Sequence, residues 1–521
     1  MTGRQRARVI VIGAGMGGLA TAARLAAAGH SVTVLERAPR TGGKVGSIRH
    51  DGFVFDTGPS LLTLPAVYRQ LFDATGGALD DSVELIAVDP AFTYRFADGA
   101  TVQVPGADPA AVAAALGGTF GAAAGSRWRS LMARASRVWS LTRGPVLDRP
   151  VTGMADLLPL ARKVGDIRAV APLTSLRRLG ERTLGEPHLV TLLDRYATYT
   201  GSDPRQAPAA LMTIPYVESA FGVWHVRGGV HRLAAAIADR VALTGGEIRT
   251  ATPVAEILTG DGRIRGVRTA TGEFLPADVV VVNADARDAY TRLLDPPGQR
   301  VAGSQVRRAT SRVASFSGFS LLLGLRGRTP GHTHHTVLFP ASTDAEFDQL
   351  FARWPQPLPD PTIYACTPAD PLMHPPEGEA VFVLVNAPRH ADHRQGVRPG
   401  TVDWRAPGVA EGYAEGLINL MAARGWPVRD RLLWWRWRSP ADLADETGAP
   451  GGSIYGSASH GPQGAFLRPA NRTPISGLYL VGGSTHPGGG LPLVAMSAAI
   501  VSRVVRADLA AGVRGAPAPS R

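Results

Sequence analysis

Short apolar runs and a longer alanine-rich stretch alternate at the start of this chain. Residues 9–12 are apolar at every position, which predicts a strand buried on both faces of a parallel sheet. An alanine-rich stretch reaching about Ala28 predicts a helix that ends at Gly29. The stretch "SVTVLE" then predicts a second strand ending at Glu36. This order of strand, turn, helix and strand predicts a Rossmann-type unit.

The rest of the chain adds strands in a different order. Two apolar runs flank the turn "GDGR" and predict a hairpin, which continues as a β-meander into the buried strand "VVVV". In the middle, "SGFSLLLGLRG" and "EAVFVLVNAP" predict strands, and "VAEGYAEGLINLMAARG" predicts a helix. Near the end, "LYLVGG" predicts a last strand of the first sheet. The fold class is therefore α/β, a Rossmann-type domain with an inserted α+β domain.

The first turn contains a glycine motif that is typical of dinucleotide binding. Gly13, Gly15 and Gly18 match G-x-G-x-x-G between a predicted strand and a predicted helix, and Gly17 lies inside the motif. Such glycines permit a tight turn, close approach to a pyrophosphate and close packing of helix on strand. The helix N-terminus offers N–H groups to phosphate. Glu36, closing the second strand, can accept hydrogen bonds from a ribose.

A second glycine motif decides which dinucleotide is expected. After Glu36 and Arg37, the chain has a glycine pair ending in Gly43 and then the cation Lys44. Nicotinamide enzymes normally continue into another Rossmann repeat, so this additional motif favours the longer cofactor FAD. The next glycine turn, "FDTGPS", is predicted to lie near the isoalloxazine ring, and it contributes Gly58, Pro59 and Ser60.

Composition narrows the class of protein. The 521 residues are 45% hydrophobic, which predicts two or three domains. The net charge of +12 suits nucleic acid, an anionic membrane or acidic ligands, but no nucleic-acid-binding motif is present. Cys366 is the single cysteine, which excludes an intrachain disulfide and suits the cytoplasm. With no signal peptide and no run of about 18 apolar residues, we expect a soluble or peripherally membrane-bound cytoplasmic protein.

Four stretches resemble the FAD-dependent carotenoid desaturases, which are related to phytoene desaturase within the amine-oxidase-like and glutathione-reductase-like flavoproteins. They are "VIVIGAGMGGLATAARLAAAGHSVTVLER…GGK", "GFVFDTGPSLLTLP", "GVWHVRGGVHRLAAAIA" and "GLYLVGGSTHPGGGLPLVAMSAAI". Their order spans nearly the whole chain. One departure is Arg227, where many members have proline. The ending "GGGLPLV" resembles hydroxycarotenoid 3,4-desaturases more than enzymes of phytoene itself.

The resemblance implies a site and a reaction. A long hydrophobic polyene gives a hydride to flavin N5, and oxygen or a membrane quinone reoxidises the flavin. It also implies a discontinuous FAD domain (1–60, 247–287 and 450–510), a substrate domain (61–246 and 288–449) and a flexible tail (511–521). The FAD residues that the motifs and the resemblance together give are Gly13, Gly15, Gly17, Gly18, Glu36, Arg37, Gly43, Lys44, Gly58, Pro59, Ser60, Val254, Gly482, Gly483, Gly490, Leu491, Pro492 and Leu493.

Residues 127–182 have a composition that suits a membrane surface. They contain 12 arginines or lysines against 4 acidic residues, together with Trp128, Trp139 and many leucines. A basic amphipathic region of this kind can lie on an anionic bilayer, and the alternative is a solvated arginine-rich helical face. We therefore expect peripheral association with the inner face of the cell membrane.

Histidine-rich stretches supply the remaining candidates. "HTHHTVLF" (332–339) and "HADH" (390–393) suggest metal ligands, but neither has a nearby cysteine or an H-E-x-x-H pattern, so no metal is expected. Desaturation also removes a proton, and His486, His225 and Glu218 are weak candidates for its acceptor. A structural role is the better interpretation of each.

Other functions are also compatible with the sequence. The first group keeps the flavin and changes the chemistry: a carotenoid ketolase, isomerase or saturase, or an amine or porphyrinogen oxidase. The other alternative is a non-catalytic lipid-binding protein that retains the fold. An FAD-dependent desaturase acting on CH–CH groups of a carotenoid is the leading interpretation.

Overall fold

The structure is a computed structural model that describes residues 6–161, 163–331, 333–391, 398–461, 464 and 467–512. His332, His393 and the predicted tail from residue 513 onward lie outside the described residues. The strands are β1 Arg8–Ile12, β2 Ser31–Leu35, β3 Ser47–His50, β4 Phe53–Asp56, β5 Leu85–Ala87, β6 Phe92–Arg95, β7 Thr101–Val104, β8 Trp224–Val226, β9 Glu247–Arg249, β10 Val254–Gly260, β11 Arg263–Thr269, β12 Phe274–Pro276, β13 Val279–Val282, β14 Ser317–Arg326, β15 His335–Leu338, β16 Ile363–Cys366, β17 Gly378–Ala387, β18 Arg389–His390, β19 Thr401–Val402, β20 Leu432–Arg438 and β21 Leu478–Leu480.

Helices connect these strands and cover the sheets. They are α1 Met16–Ala27, α2 Ala66–Asp73, α3 Pro109–Phe120, α4 Ala122–Thr142, α5 Val164–Val170, α6 Leu176–Thr183, α7 Pro187–Arg195, α8 Thr213–Phe221, α9 His231–Leu243, α10 Ala286–Asp288, α11 Pro296–Val301, α12 Gly303–Ser311, α13 Thr343–Leu350, α14 Val409–Ala423, α15 Pro440–Thr447 and α16 Leu491–Ala510.

The first sheet is parallel and has the strand order β21-β13-β1-β2-β9. Apart from Arg8, its central strands β1 and β13 are apolar, because helices cover one face and the β10-β11-β12 strands with residues 289–294 cover the other. The predicted strands at 9–12 and 279–282 are confirmed, and β21 is the predicted last strand. Parallel strands end at the same edge of a sheet, so the turns after β1, β13 and β21 lie together.

The predicted meander forms a separate antiparallel sheet of order β10-β11-β12. Asp261 and Gly262 both have positive φ in its turn, at +54° and +71°. Such a turn suits the right-handed twist of the two strands that it joins. The next strand, β13, is the predicted buried strand, and it returns the chain to the parallel sheet beside β1.

The second large sheet is mixed and has the order β20-β14-β17-β16-β15-β6-β7. The two strands predicted from apolar runs, β14 and β17, pair antiparallel over their full length. Strands β6 and β7 come from the chain before β9, whereas the others come from the chain after β13. Both stretches predicted for the substrate domain therefore contribute to one sheet.

The core beneath the parallel sheet also includes helices from the first of those stretches. Tyr68 and Phe72 of α2, and Leu233 and Ile237 of α9, are buried in one cluster with α1 and α16. These helices cover one face of the sheet, next to the edge at which the glycine turns lie. The division into an FAD domain and a substrate domain stays a proposal.

The basic segment 127–182 packs partly inward. Trp128 is 2% exposed and lies in a core cluster with α3 and α7, so the prediction that it faces a membrane was wrong. An indole on an amphipathic helix buries readily against its neighbours. The exposed apolar side chains of this segment are instead Leu158, Val164, Ile167 and Leu173. Among the described helices, none combines the length and apolar character that crossing a bilayer would require.

Candidate functional site

The turn between β1 and α1 leaves no room for side chains at its glycine positions. An ideal Cβ at Gly15 would lie 2.6 Å from Asn283 Nδ2, and one at Gly18 would lie 2.1 Å from the carbonyl oxygen of Gly13. Gly13 itself has φ +96°, which glycine adopts without strain. Gly15 is the N-cap of α1 and, within the described residues, no side chain caps this helix. Its first N–H groups can therefore bind an anion.

Glu36 lies directly beside this turn. Its carboxylate accepts hydrogen bonds from the N–H groups of Ala14 and Ala38, at 2.7 and 2.8 Å. The backbone N–H of Thr252 donates to the carbonyl oxygen of Glu36, which places Val254 two residues further on, near the end of β2. Arg37 is differently placed, because its guanidinium donates to the carbonyl oxygen of Asp445 in α15.

The second glycine pair packs against the first motif. Gly42 N–H donates to the carbonyl oxygen of Ala14 at 2.8 Å, and an ideal Cβ at Gly43 would lie 3.1 Å from Gly15 Cα. Lys44 follows, and its ammonium donates to the carbonyl oxygens of Ser453 and Ile454. Burial lowers the pKa of Lys44 to about 8, and the nearby Asp285 opposes that shift.

The C-terminal glycine segment reaches the same place. An ideal Cβ at Gly17 would lie 3.2 Å from Gly482 Cα, and one at Gly482 would lie 2.7 Å from Asn283 Oδ1. An ideal Cβ at Gly483 would lie 3.4 Å from Gly489 Cα, so these two glycines are adjacent. The turns after β1, β13 and β21 thus converge, as the shared sheet edge requires.

A cavity of about 370 Å³ opens next to this convergence. It is lined by Gly58, Pro59 and Ser60 of the "FDTGPS" turn, and by the chain that begins α16. Gly490 is the N-cap of α16 with φ +99°, and Pro492 lies in its first turn, where no N–H is needed. The predicted cofactor residues Gly490, Leu491, Pro492 and Leu493 all line this cavity.

Most of the remaining wall is apolar, but one part is strongly polar. Arg195 lies among the rings of Phe92, Tyr94, Tyr196 and Tyr199, with its guanidinium carbon 4.7–5.5 Å from their centroids. Other polar residues of the wall include Ser60, Asp194, Thr198, Tyr199, Tyr364, Asn386 and Arg468. Sequence reasoning missed these residues except Ser60, because "DRYATYTG" and "TIYAC" match no short chemical motif.

The three candidate proton acceptors are not brought together. His486 lines the cavity, and its Nε2 donates to the carbonyl oxygens of Val146 and Arg149, both at 2.9 Å. Its burial lowers the pKa of this imidazole, which makes it a weaker base. Glu218 lies behind the wall and accepts from the hydroxyls of Tyr196 and Tyr199 at 2.6 and 3.1 Å. His225 is buried against Asp370, 2.8 Å from it.

The histidine pair requires a correction. The sequence suggested that no cysteine lies near His334 and His335, but β15 and β16 pair with His335 opposite Cys366. One ligand atom of each of these three residues lies within 4.8 Å of the others. A cysteine 31 positions away in the chain can be adjacent in a sheet, and sequence spacing does not reveal that. His390 of the second stretch is buried near Trp404.

A parallel βαβ sheet with a glycine cradle for an anion, beside a largely apolar cavity, is typical of dinucleotide-binding oxidoreductases. The chain matches the flavin containing amine oxidoreductase family over residues 16–338. It is 31% identical to a 4,4'-diapolycopene oxygenase of Methylomonas sp over 519 residues, 98% of this chain and 100% of that protein. It is 33% identical to a hydroxyneurosporene desaturase of Rubrivivax gelatinosus over 96% of this chain and 94% of that protein.

A further relative is the zeta-carotene-forming phytoene desaturase of Myxococcus xanthus, 31% identical over 96% of this chain and 93% of that protein. The chain therefore belongs to the flavin containing amine oxidoreductase family and, within it, to the group of carotenoid desaturases. The fold is similar to that of an oxidoreductase of Methanosarcina mazei, with TM-score 0.62, 18% identity and coverage of 95% and 100%. It is also similar to putrescine oxidase, with TM-score 0.62, 15% identity and coverage of 97% and 99%.

Proposed function

We propose that this protein is an FAD-dependent desaturase that introduces C=C bonds into a carotenoid or a related long polyene. The observation that carries the proposal is the largely apolar cavity, whose wall includes both the "FDTGPS" turn and the start of α16. The free energy of a hydrocarbon chain falls when such a wall removes it from water. The relatives named as carotenoid desaturases match nearly the whole chain, which supports the same substrate class.

The glycine cradle is proposed to hold the cofactor. Gly13, Gly15 and Gly18 leave backbone exposed at the N-terminus of α1, where the pyrophosphate of FAD would bind, and Lys44 adds a cation. Glu36 would accept from the ribose with the lone pairs that its two backbone hydrogen bonds leave. When bound, the flavin supplies a two-electron acceptor for a hydride. The start of α16 would then direct its N–H groups towards the flavin ring.

The charges of the cavity argue against an amine substrate. Its charged lining residues are Arg195, Arg468 and Asp194. Asp194 is 1% exposed and already accepts a hydrogen bond from Arg177 Nε at 2.6 Å. Its other carboxylate oxygen, Oδ1, is buried and has no partner among the described residues. A protonated amine would therefore meet two guanidinium groups and one carboxylate that already pairs with Arg177, which is unfavourable in a largely apolar cavity. A neutral polyene meets no such penalty.

A carotenoid oxygenase is the second candidate function. It is favoured by the similarity to the 4,4'-diapolycopene oxygenase, which covers all of that protein. Both reactions begin at a C–H bond of a polyene and need the same apolar cavity. They differ in the product, because desaturation lengthens the conjugated system and oxygenation adds an oxygen atom.

We propose that the protein takes its substrate from a membrane surface. The side chains of Leu158, Val164, Ile167 and Leu173, on the segment after α4, are exposed and would form the membrane-contacting surface. The helical turn that carries Leu158 packs against residues 143–147, of which Val146 and Leu147 line the cavity. Exposed Lys163 and Arg168 lie in the same segment and would contact anionic lipid. Oxygen or a membrane quinone would reoxidise the flavin.

Pigment analysis tests the proposed function. The protein would be produced in cells that accumulate one defined acyclic carotene. The pigments would be separated by chromatography, and their masses would be measured by mass spectrometry. We expect products lighter by two hydrogens per step that absorb at longer wavelength. Products heavier by oxygen would favour the oxygenase. Unchanged pigments across phytoene-like, neurosporene-like and hydroxylated carotenes would overturn both.

A further inference from the structure

A row of buried hydroxyl and imidazole groups leads away from the cavity. Ser60 and Tyr364 line the cavity, and their hydroxyl oxygens are 2.6 Å apart. Tyr364 Oη is 2.8 Å from His335 Nδ1. The ring of His334 is 4.5 Å from that of His335, and the ring of His225 is 4.9 Å from that of His334. The row ends where His225 Nε2 meets Asp370 Oδ2.

Two histidine nitrogens in the middle of this row are available for hydrogen bonding. Within the described residues, Nε2 of His334 and Nε2 of His335 are buried and have no hydrogen-bond partner. A buried polar atom without a partner is costly and calls for an explanation. Since the rings are adjacent, a small ring rotation or one water molecule can join these nitrogens. Each imidazole can then accept a proton at one nitrogen and release another from the second.

The two ends of the row differ in access to solvent. Ser60 and Tyr364 face the cavity, whereas Asp370 is flanked by the exposed Ala369 and by Leu372, which is 48% exposed. Asp370 also accepts hydrogen bonds from the N–H groups of Gly228 and Leu372. Asp370 itself is 6% exposed, so the row leads from the cavity to a point one residue from the surface.

We propose that Ser60, Tyr364, His335, His334, His225 and Asp370 form a relay that removes the substrate proton from the cavity; this inference rests on the proposed function. Each desaturation removes one hydrogen as a hydride to the flavin and the other as a proton. The electron pair of the second C–H bond becomes the new C=C bond, and the proton passes to Ser60 Oγ. The serine proton moves to Tyr364, and the tyrosine proton moves to His335 Nδ1.

The chemistry of each group fits its place. A C–H bond next to a carbon that is losing hydride is strongly acidic, so a hydroxyl oxygen suffices as acceptor when a relay carries the proton onward. Burial, with a contribution from the neighbouring His334 and Arg195, holds the pKa of His335 well below its usual value. His335 would therefore pass the proton on and not retain it. Hydrogen bonds from Gly228 and His225 lower the pKa of Asp370 despite its burial, which keeps its carboxylate charged.

The substitution Tyr364→Phe interrupts the relay with little change in volume. We expect the desaturation rate of the FAD-loaded enzyme to fall about a hundredfold with unchanged flavin content. The melting temperature should fall by only a few degrees, because Ser60 and His335 each lose one hydrogen bond. Tyr413→Phe is the matched control, because the Tyr413 hydroxyl is also buried, has no hydrogen-bond partner among the described residues and does not line this cavity. Its rate should equal that of the wild type.

A second measurement does not depend on turnover. In protein labelled with ¹⁵N-histidine, the Nδ1 resonance of His335 should report an accepted hydrogen bond, and it should shift in Tyr364→Phe but not in Tyr413→Phe. An unchanged rate or an unchanged resonance in Tyr364→Phe would overturn the relay while leaving the desaturase proposal intact. Tightly bound stoichiometric zinc that is lost in Cys366→Ser would also overturn it, since a metal would occupy the nitrogens. A wild-type enzyme inactive on every carotene would overturn both proposals.

Discussion

Individual polar side chains in this protein owe their properties to burial. Lys44, Tyr364 and His335 are enclosed, and in each case loss of water favours the neutral form. Lys44 differs from the others because its pKa of about 8 lies close to physiological pH. A nearby anion favours the protonated form of a lysine whose pKa lies in this range. We therefore expect Lys44 to take up a proton when a phosphate group binds beside it.

Affinity for FAD should therefore depend on pH through Lys44. Below about pH 8 the ammonium is charged and attracts the pyrophosphate, and above that value the free protein must take up a proton to restore the charge. Weakening of about tenfold between pH 7 and pH 9.5 is expected for one such group. Titration of the apoprotein followed by flavin fluorescence measures it. In Lys44→Met the affinity should be low at both pH values, and a wild-type profile without this step would refute the assignment.

At the scale of elements, the glycine turns depend on backbone contacts that no other residue permits. The ideal Cβ at Gly18 lies 2.1 Å from a backbone oxygen, which cannot move without displacing β1. By contrast, Gly416 lies within α14, and nothing lies within 4 Å of its ideal Cβ. Substitution by alanine should therefore have opposite effects on the stability of the protein at the two positions.

We expect Gly18→Ala to destabilise the protein by about 3 kcal/mol, because the turn must open to relieve the clash. Gly416→Ala should stabilise it by about 0.5–1 kcal/mol, since alanine loses less backbone entropy in a helix. Urea unfolding of both variants gives these differences. Equal stability of Gly18→Ala and the wild type would show that the turn is looser than the structure indicates.

The sequence predicted those elements well wherever a local pattern specifies them. The apolar runs at β1, β13, β14 and β17 and the glycine turns were identified because periodicity and backbone requirements are local properties. The polar wall was not identified. Arg195 and Tyr364 of that wall, and Cys366 beside the histidine pair, come from α7 and β16, and their neighbours are set by the pairing of distant strands. Trp128 was placed on the surface for the same reason, since composition does not tell which face of α4 packs inward.

At the scale of the whole molecule, interleaved stretches of chain line the cavity of about 370 Å³, and exposed apolar side chains on the segment after α4 form the proposed membrane-contacting surface. Leu158 and Leu173 on that surface are 66% and 88% exposed. Apolar side chains of this size contribute about 1.5–3 kcal/mol each when fully buried. Their combined burial in lipid would be enough to hold the protein at a bilayer when the basic residues of the segment add their attraction.

The double variant Leu158→Asp/Leu173→Asp should therefore bind anionic phospholipid vesicles at least about tenfold more weakly than the wild type. Wild-type binding should also weaken as salt rises, because screening reduces the attraction of the basic residues. Leu243→Asp is the control, since Leu243 is 73% exposed but lies at the end of α9. Vesicle flotation measures all three proteins. Equal binding of the double variant and the control would place the membrane contact elsewhere.

The cavity itself can be tested by filling it. Ala210 lines the cavity, so Ala210→Trp would occupy space that the polyene needs without touching the glycine cradle. We expect conversion of the carotene to fall at least about tenfold while the flavin spectrum stays that of the wild type, because closely packed walls cannot yield to an indole. Ala110→Trp, at an exposed position of α3, is the matched control. Full conversion by Ala210→Trp would mean that the polyene binds outside this cavity, and loss of flavin would mean that the cofactor and the polyene share more of this wall than the glycine turns imply.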